Sequence, residues 1–448
     1  MLGFYRRETT STCLPEPRSS RPNGGATSTR APRAAWGAGA LALGLAALPG
    51  LGCNALTGAE NVAFGGDGQG GAGNGSQGGA GNGSQGGAGN GSQGGAGNGS
   101  QGGAGNGSQG GAGNGSQGGA GNGSQGGSGG AAPACSPPCG QNQFCELATL
   151  TCQCSPGFVS QGGACVPAPV GDPTTHTEQE VCQHWNDGHS VTSPSPLTTN
   201  GMMCDPGTLS QGGLNDTLVR INMFRWMVGL GPVDDDPGLN TMNQYCAVLE
   251  SWWDWSSGVS PHSPPPTAAC YTAEGASGAG QSNLAWGSGH PAQAIDQFME
   301  DWGNETTLGH RRWIMNPPLG PVGIGYWEGG GMYGNAMCLA VFGQSGGGPT
   351  PDWTSMPPAG FAPLTTAQWT WSFQGNLGGI GNAQIEVLDV DTNTPLAITV
   401  LPLQGGYGQP AISWLPSGWQ PQAGKTYRVT VSGVTGGPVV YDVKPVNC

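Results

Sequence analysis

The sequence predicts an α+β protein, and three observations predict it. A middle stretch has apolar residues at helical spacing followed by two short β-rich segments. A C-terminal stretch alternates apolar and polar residues over several short runs. A six-cysteine module, too small to hold a core of its own, separates both from a glycine-rich run. The 448 residues allow about three domains by length, but the 89 glycines mean that much of the chain builds no core.

Residues 1–52 read as a secretory signal region. Arg30 and Arg33 precede "AAWGAGALALGLAALPGLGC", an apolar run short for a membrane span and ending in small residues at Cys53. The ending "LPGLGC" resembles the lipobox of bacterial lipoproteins, except that Gly50 stands where leucine is usual. That resemblance implies a lipidated Cys53 and a membrane-anchored protein at the outer membrane or cell surface. The segment holds six Arg and two Glu, a local +4, so the chain's formal −14 becomes −18 once it is removed. So acidic a surface repels phosphate backbones, and nucleic acid is excluded as a partner.

Residues 53–134 are expected to be a tether. Seven copies of "GGAGNGSQ" fill positions 70–125 without one large apolar residue, so stacked repeats bury nothing to offset their ordering entropy. About 70 residues of this composition span roughly 45–50 Å root-mean-square.

The next module, 135–168, carries Cys135, Cys139, Cys145, Cys152, Cys154 and Cys165 in "CSPPCGQNQFCELATLTCQCSPGFVSQGGAC". Fourteen cysteines in an acidic, Gly- and Pro-rich chain point to an oxidising compartment, and disulfides must hold this module together. Spacing alone leaves about fifteen pairings open. The C-x-C followed by "SPGF" resembles the EGF-like module, which implies Cys135–Cys145, Cys139–Cys152 and Cys154–Cys165 and a spacer role. The preceding "GGAAPAC" has none of the acids that calcium-binding versions use.

Residues 169–204 are a connecting segment, and 205–345 form the helical domain. Leu214, Leu218, Ile221, Phe224 and Val228 recur at three- or four-residue steps, with Asn215 or Asp216 as cap and Gly229 as stop. Further helices are predicted over 238–253 and in "PAQAIDQFMEDW", and strands in "VGIGYW" and "AMCLAVFG". A Pro/Gly linker (346–365) then leads to a β-sandwich (366–448) of six or seven short strands, Ig- or fibronectin-like in its spacing. Tyr427 suits a tyrosine corner there or a plain core position.

Four motifs in the middle segment occur in a recognisable order. "INMFRWMVGLGPVDDDPGL" places Asn222, Arg225, Gly229, Pro232, Asp236 and Leu239; "PHS" contains His262; "SNLAWG" follows; and "GHRRWIMNP" leads into "VGIGY". Together they resemble the CAP domain of cysteine-rich secretory, antigen 5 and pathogenesis-related proteins and of bacterial SCP-like proteins. The resemblance implies an α-β-α sandwich whose cleft is lined by two histidines and two acids. These fall on His262, Ser282, Asp301 and His310. Ser282 replaces the first acid, and Asp301 replaces a glutamate with a shorter arm, Glu300 being the alternative one residue away.

Two neutral imidazoles and a carboxylate can hold Zn²⁺ with an open coordination position, where the ion polarises water or a carbonyl. His262 and His310 are 48 residues apart, so only the fold can bring them together. Zn²⁺ is thus a candidate cofactor, and none is required. In the plainer alternative His310 hydrogen-bonds within a loop and His262 lies on a surface turn. Arg311 and Arg312 are expected to pair with Asp301, Glu300 or Glu305 rather than with an anion. In "SWWDW", Trp252 and Trp255 fall at i and i+3, so part of that cluster is core. Cys182, Cys204, Cys246, Cys270, Cys338 and Cys448 suit three disulfides, and sequence proximity suggests Cys182–Cys204, Cys246–Cys270 and Cys338–Cys448.

The function expected first is non-enzymatic binding of a small lipid- or sterol-like ligand, or of a divalent metal, by an exported surface protein. An extracellular metal-dependent hydrolase comes second, with His262 and His310 as ligands and Asp301 or Glu274 as acid/base. Adhesion to an extracellular protein through the EGF-like and sandwich modules comes third.

Overall fold

The six cysteines of the first module pair as Cys135–Cys145, Cys139–Cys152 and Cys154–Cys165. They brace two hairpins, β1 (Gln143–Glu146) with β2 (Thr151–Cys154) and β3 (Phe158–Gln161) with β4 (Ala164–Pro167). The computed structural model describes residues 135–448 apart from 330–333, 344, 345, 347 and 402, so the signal region, Cys53 and the tether lie outside the described residues. The module is docked on the next domain rather than standing free. Asn222 Nδ2 donates to Pro156 O and to Val233 O, each at 2.8 Å, while Asn222 Oδ1 accepts the Val233 N–H. The approach is so close that a Cβ on Gly157 would lie 2.6 Å from Pro232 Cβ.

The connecting segment folds. Helix α1 (Glu178–His189) opens with a capping box in which Thr177 and Glu180 satisfy each other's backbone N–H groups. A two-residue ladder, β5 (Leu197–Thr198) with β6 (Thr208–Leu209), follows. Helix α2 (Gln211–Met227) starts a turn before its apolar stripe, because Ser210 rather than Asn215 or Asp216 is the cap. Asp216 is buried and accepts instead from Thr192 N, Thr192 Oγ1 and Ser193 N.

Helix α3 (Pro237–Ser251) is capped by Asp236, with proline at its first position. Helix α4 (Ala273–Ala279), strand β7 (Ser282–Trp286), helix α5 (Pro291–Glu300), helix α6 (Gly309–Ile314) and strands β8 (Gly323–Trp327) and β9 (Ala336–Ala340) complete the domain. The three strands form an antiparallel sheet in the order β8-β9-β7. Strand alternation splits its side chains between two cores. Ala285, Ile324, Tyr326, Met337 and Leu339 join the core of α2 and α5, whereas Leu284, Trp327 and Cys338 join the core of α3. Helix α3 lies so close that a Cβ on Gly325 would sit 2.0 Å from Asn243 O, which only glycine avoids.

Residues 346–365, expected as a linker, hold strands β10 (Trp353–Met356) and β11 (Gly360–Pro363). Prolines interrupt their alternation in sequence, and their pairing partners are distant. After the turn α7 (Leu364–Ala367) come β12 (Trp371–Gly375), β13 (Gln384–Asp389), β14 (Thr394–Leu396), β15 (Ile398–Leu401), β16 (Ala411–Pro416), β17 (Tyr427–Ser432) and β18 (Val439–Val446). They make a four-stranded sheet, β10-β12-β16-β15, and a five-stranded one, β11-β18-β17-β13-β14. Trp371, Phe373 and Trp414 of the first share a core with Val429, Tyr441 and Val443 of the second. Tyr427 is buried, and its hydroxyl accepts the Gln422 N–H at 3.0 Å. Among the described residues no helix is long and apolar enough to cross a membrane.

The other six cysteines pair differently from the order suggested by proximity: Cys182–Cys448, Cys204–Cys270 and Cys246–Cys338. Cys246 on α3 and Cys338 on β9 belong to one core, so the helix-on-sheet packing selects that pair. Cys182 lies on α1 and meets the last residue of the chain, so the terminal sheets are clamped through α1 and not through β9. Replacing Cys182 and Cys448 together by serine is expected to lower stability by about 2–4 kcal/mol. A urea titration beside the wild type, with thiol counts confirming the other pairs, measures that loss.

Candidate functional site

His310 is the second residue of α6, a helix of six residues whose N-cap, Leu308, has φ 46° and offers no side-chain cap. So short and uncapped a helix is not held by its own sequence. Asp301 anchors it. This residue ends α5 in the left-handed conformation, and its side chain has no exposed surface. Its Oδ1 accepts from His310 Nδ1 and from Asn304 Nδ2, both at 2.8 Å, and Oδ2 accepts the Arg311 N–H at 3.3 Å. Asp301 and not Glu300 is therefore the acid that reaches the histidine. On the sheet side, Asn283 Nδ2 donates to His310 O at 3.0 Å.

His262 comes from the loop between α3 and α4. Its Nδ1 donates to Ala279 O at 2.9 Å. Burial pushes its pKa down to about 4; the Ala279 bond opposes this, and the nearby His310 imidazole adds to it. That influence means the two rings lie within electrostatic reach of one another, His262 held at the end of α4 and His310 on α6. Each imidazole turns Nδ1 to an acceptor, Ala279 O or Asp301 Oδ1, so Nε2 is the ring nitrogen left to face a ligand.

The other expected members do not join them. Ser282 Oγ is 3.1 Å from Asn243 Nδ2, and it shares the α3 face of β7 with Leu284, opposite Asn283. Glu274 is exposed in the first turn of α4. Trp252 lies 6.5 Å from Trp327 and Trp255 lies 4.7 Å from Trp286, centroid to centroid, so the tryptophan cluster packs on itself.

The donor set limits what metal the site can take. Among the described residues, the group of three candidate ligands with mutually close donor atoms is Cys135, Cys139 and Cys145, whose sulfurs are in disulfides. His262 and His310 thus supply two nitrogens without a neighbouring third protein ligand. A closed four-ligand structural zinc does not fit these two residues; an ion held by them would keep water or an external ligand in its remaining positions.

The arginines beside His310 serve neither an anion nor the expected carboxylates. Arg311 donates from Nε to Met299 O (2.6 Å), from Nη2 to Glu300 O (3.0 Å) and from Nη1 to Thr370 O (2.6 Å) and Ser372 Oγ (3.1 Å). Arg312 reaches Thr307 O, Gln404 O and Gln409 O at 2.8–2.9 Å. Burial lowers both guanidinium pKa values to about 10, which leaves them charged at neutral pH.

Sequence reasoning missed Glu250. It is 1% exposed, neither carboxyl oxygen has a hydrogen-bond partner, and burial drives its pKa well above the usual range. Its place three residues after Ala247, on the apolar side of α3, was the available signal. A cavity of about 690 Å³ between the first module and the α2–α3 turn, with Phe144, Phe158, Asp234 and Asp235 in its wall, includes neither histidine. No family model matches this chain, and no curated protein or solved structure matches it.

The His262 shift has a definite sign. The folded state binds this proton less readily than the unfolded chain, so the stability it contributes is complete above about pH 6.5 and is lost as pH falls towards about 4. The loss is at most about 3 kcal/mol. Urea midpoints at pH 7, 5.5 and 4 should therefore fall more steeply in the wild type than in His262→Asn.

Proposed function

We propose that this chain is an exported, membrane-anchored surface protein whose middle domain is CAP-like and whose His262/His310 cleft binds a divalent cation, or a small ligand through one, without turnover. The observation that carries the reading is the pair of imidazoles, each held through Nδ1, by Ala279 O and by Asp301, with Nε2 left available. Ligating histidines are commonly oriented by such carbonyl and carboxylate acceptors. The depressed pKa of His262 keeps it neutral, as a ligand must be.

Three further features support the proposal. Helices pack on both faces of the β8-β9-β7 sheet, the layering that the CAP resemblance implies. Arg220, Arg225, Arg311 and Arg312, which are all the Lys and Arg residues between 135 and 350, are buried, so the exposed formal charge of that region is acidic and concentrates cations. Six disulfides suit an extracellular location. Binding is favoured over hydrolysis because Ser282 faces α3, Glu274 is exposed on α4, and Asp301 is committed to His310 and Asn304. A lipidated Cys53 and the glycine-rich tether would present the cleft away from the membrane.

Native mass spectrometry of the oxidised full-length protein with Zn²⁺ tests the proposal. One ion per chain is expected, lost in His262→Ala and in His310→Ala and weakened about 10–100-fold in Asp301→Asn. Retention of the ion by both alanine variants, or no binding by the wild type, would remove the imidazole pair from the function. A co-purifying lipid would then become the ligand to pursue.

A further inference from the structure

We infer that the C-terminal β domain is a positioning element for His310, acting through the 403–410 loop and above all through Tyr407. The inference rests on the His262/His310 cleft as the binding site and names what holds one of its two side chains in place.

The six residues of α6, with an uncapped, left-handed Leu308 at the N-terminus, do not hold a helix in one place by local interactions. Asp301 fixes one side of it. The loop between β15 and β16 meets it as well. A Cβ on Gly309 would lie 2.6 Å from Tyr407 Cδ1, so the aromatic edge rests directly on the residue before His310. The Arg312 guanidinium lies 5.7 Å from the centre of the same ring. Thr306 O accepts the Gln404 N–H at 2.9 Å, and Arg312 donates to Gln404 O and Gln409 O at 2.8 and 2.9 Å. Gly408 packs under the Arg312 carbonyl, where a Cβ would lie 3.1 Å from that oxygen.

The segment from Thr306 to Arg312 is therefore held both by Asp301 and by the β domain. A displacement of the loop would move α6 against a buried carboxylate that has no other place to go. The imidazole would respond first, because its Nδ1–Oδ1 bond depends on where α6 sits. Tyr407 touches no ligand in this scheme; it acts through the backbone of Gly309 and through Arg312.

The test uses the oxidised full-length protein labelled with ¹⁵N-histidine, together with Gly309→Ala, Tyr407→Leu and the double variant. The hydrogen-bonded Nδ1–H proton of His310 is followed by NMR, Zn²⁺ affinity by titration, and folding of the β domain by urea unfolding. Each single variant is expected to lose or strongly shift that proton signal and to weaken Zn²⁺ about tenfold, the scale of a lost orienting contact. The double variant is expected to fall short of the sum, because the added methyl enters space vacated by the ring. Unchanged His310 signals and Zn²⁺ affinity in both single variants, alongside lower urea midpoints, would show a merely structural contact and overturn the inference. If the proton signal moves as expected while the wild type binds no Zn²⁺, positioning stands and the cleft reading fails. Tyr407→Leu keeps most of the apolar volume, so one variant stays folded if the methyl of Gly309→Ala proves too large.

Discussion

Burial of three guanidinium groups is the constraint on which the rest of the structure depends. A buried arginine cannot shed its charge, so its donors must find acceptors or the fold loses several kcal/mol. Arg225 meets this with Gly231 O, Ile314 O, Asn316 O and Pro317 O, and thereby joins the end of α2 to the chain that follows α6. Burial lowers its pKa to about 9, still charged at neutral pH. Arg311 and Arg312 do the same between α6 and the β domain. Nearly all the acceptors are backbone carbonyls, whose positions are set by secondary structure. The arginines thus register whole elements against one another, which a carboxylate on a mobile side chain would not do.

That registration explains why parts expected to be separate are joined. The first module shares Asn222 with the α2–α3 turn, α1 carries the cysteine that receives the C-terminus, and the β domain supplies carbonyls to the segment that carries His310. The surroundings of His310 are consequently a shared product of two domains. The electrostatics follow the same logic. With the cations of the middle region used internally, most of its acids face solvent, and burial lowers the His262 pKa to about 4, which keeps that imidazole neutral in a strongly acidic protein.

Much of the fold was legible in the sequence. The 3.6-residue spacing of Leu218, Ile221 and Phe224, the period-2 runs of β16 to β18 and the six-cysteine module each report a local rule, and local rules survive without knowledge of neighbours. At the candidate site, His262, Ser282, Asp301 and His310 came only as positions the resemblance implied, and the structure joins Asp301 to His310. The sequence did not show that Ser282 would turn towards α3, since that depends on the parity of β7 relative to a helix packed above it. Nor did it show that the GHRR arginines would ignore the nearby acids Glu300 and Glu305.

The sequence by itself determined where the main helices α2, α3 and α5 and most of the C-terminal strands lie, and that the chain is acidic and rich in cysteine pairs. Only the tertiary structure decided how the six cysteines outside the first module pair, that residues 353–363 contain strands, and which acid holds His310. The physical reason is common to all three. Each is settled by a partner far away in the chain, Cys448 for Cys182, β12 for β10 and β18 for β11, and the carbonyls of Thr370 and Gln404 for the arginines that steady α6, and sequence spacing carries no information about a partner's place in space.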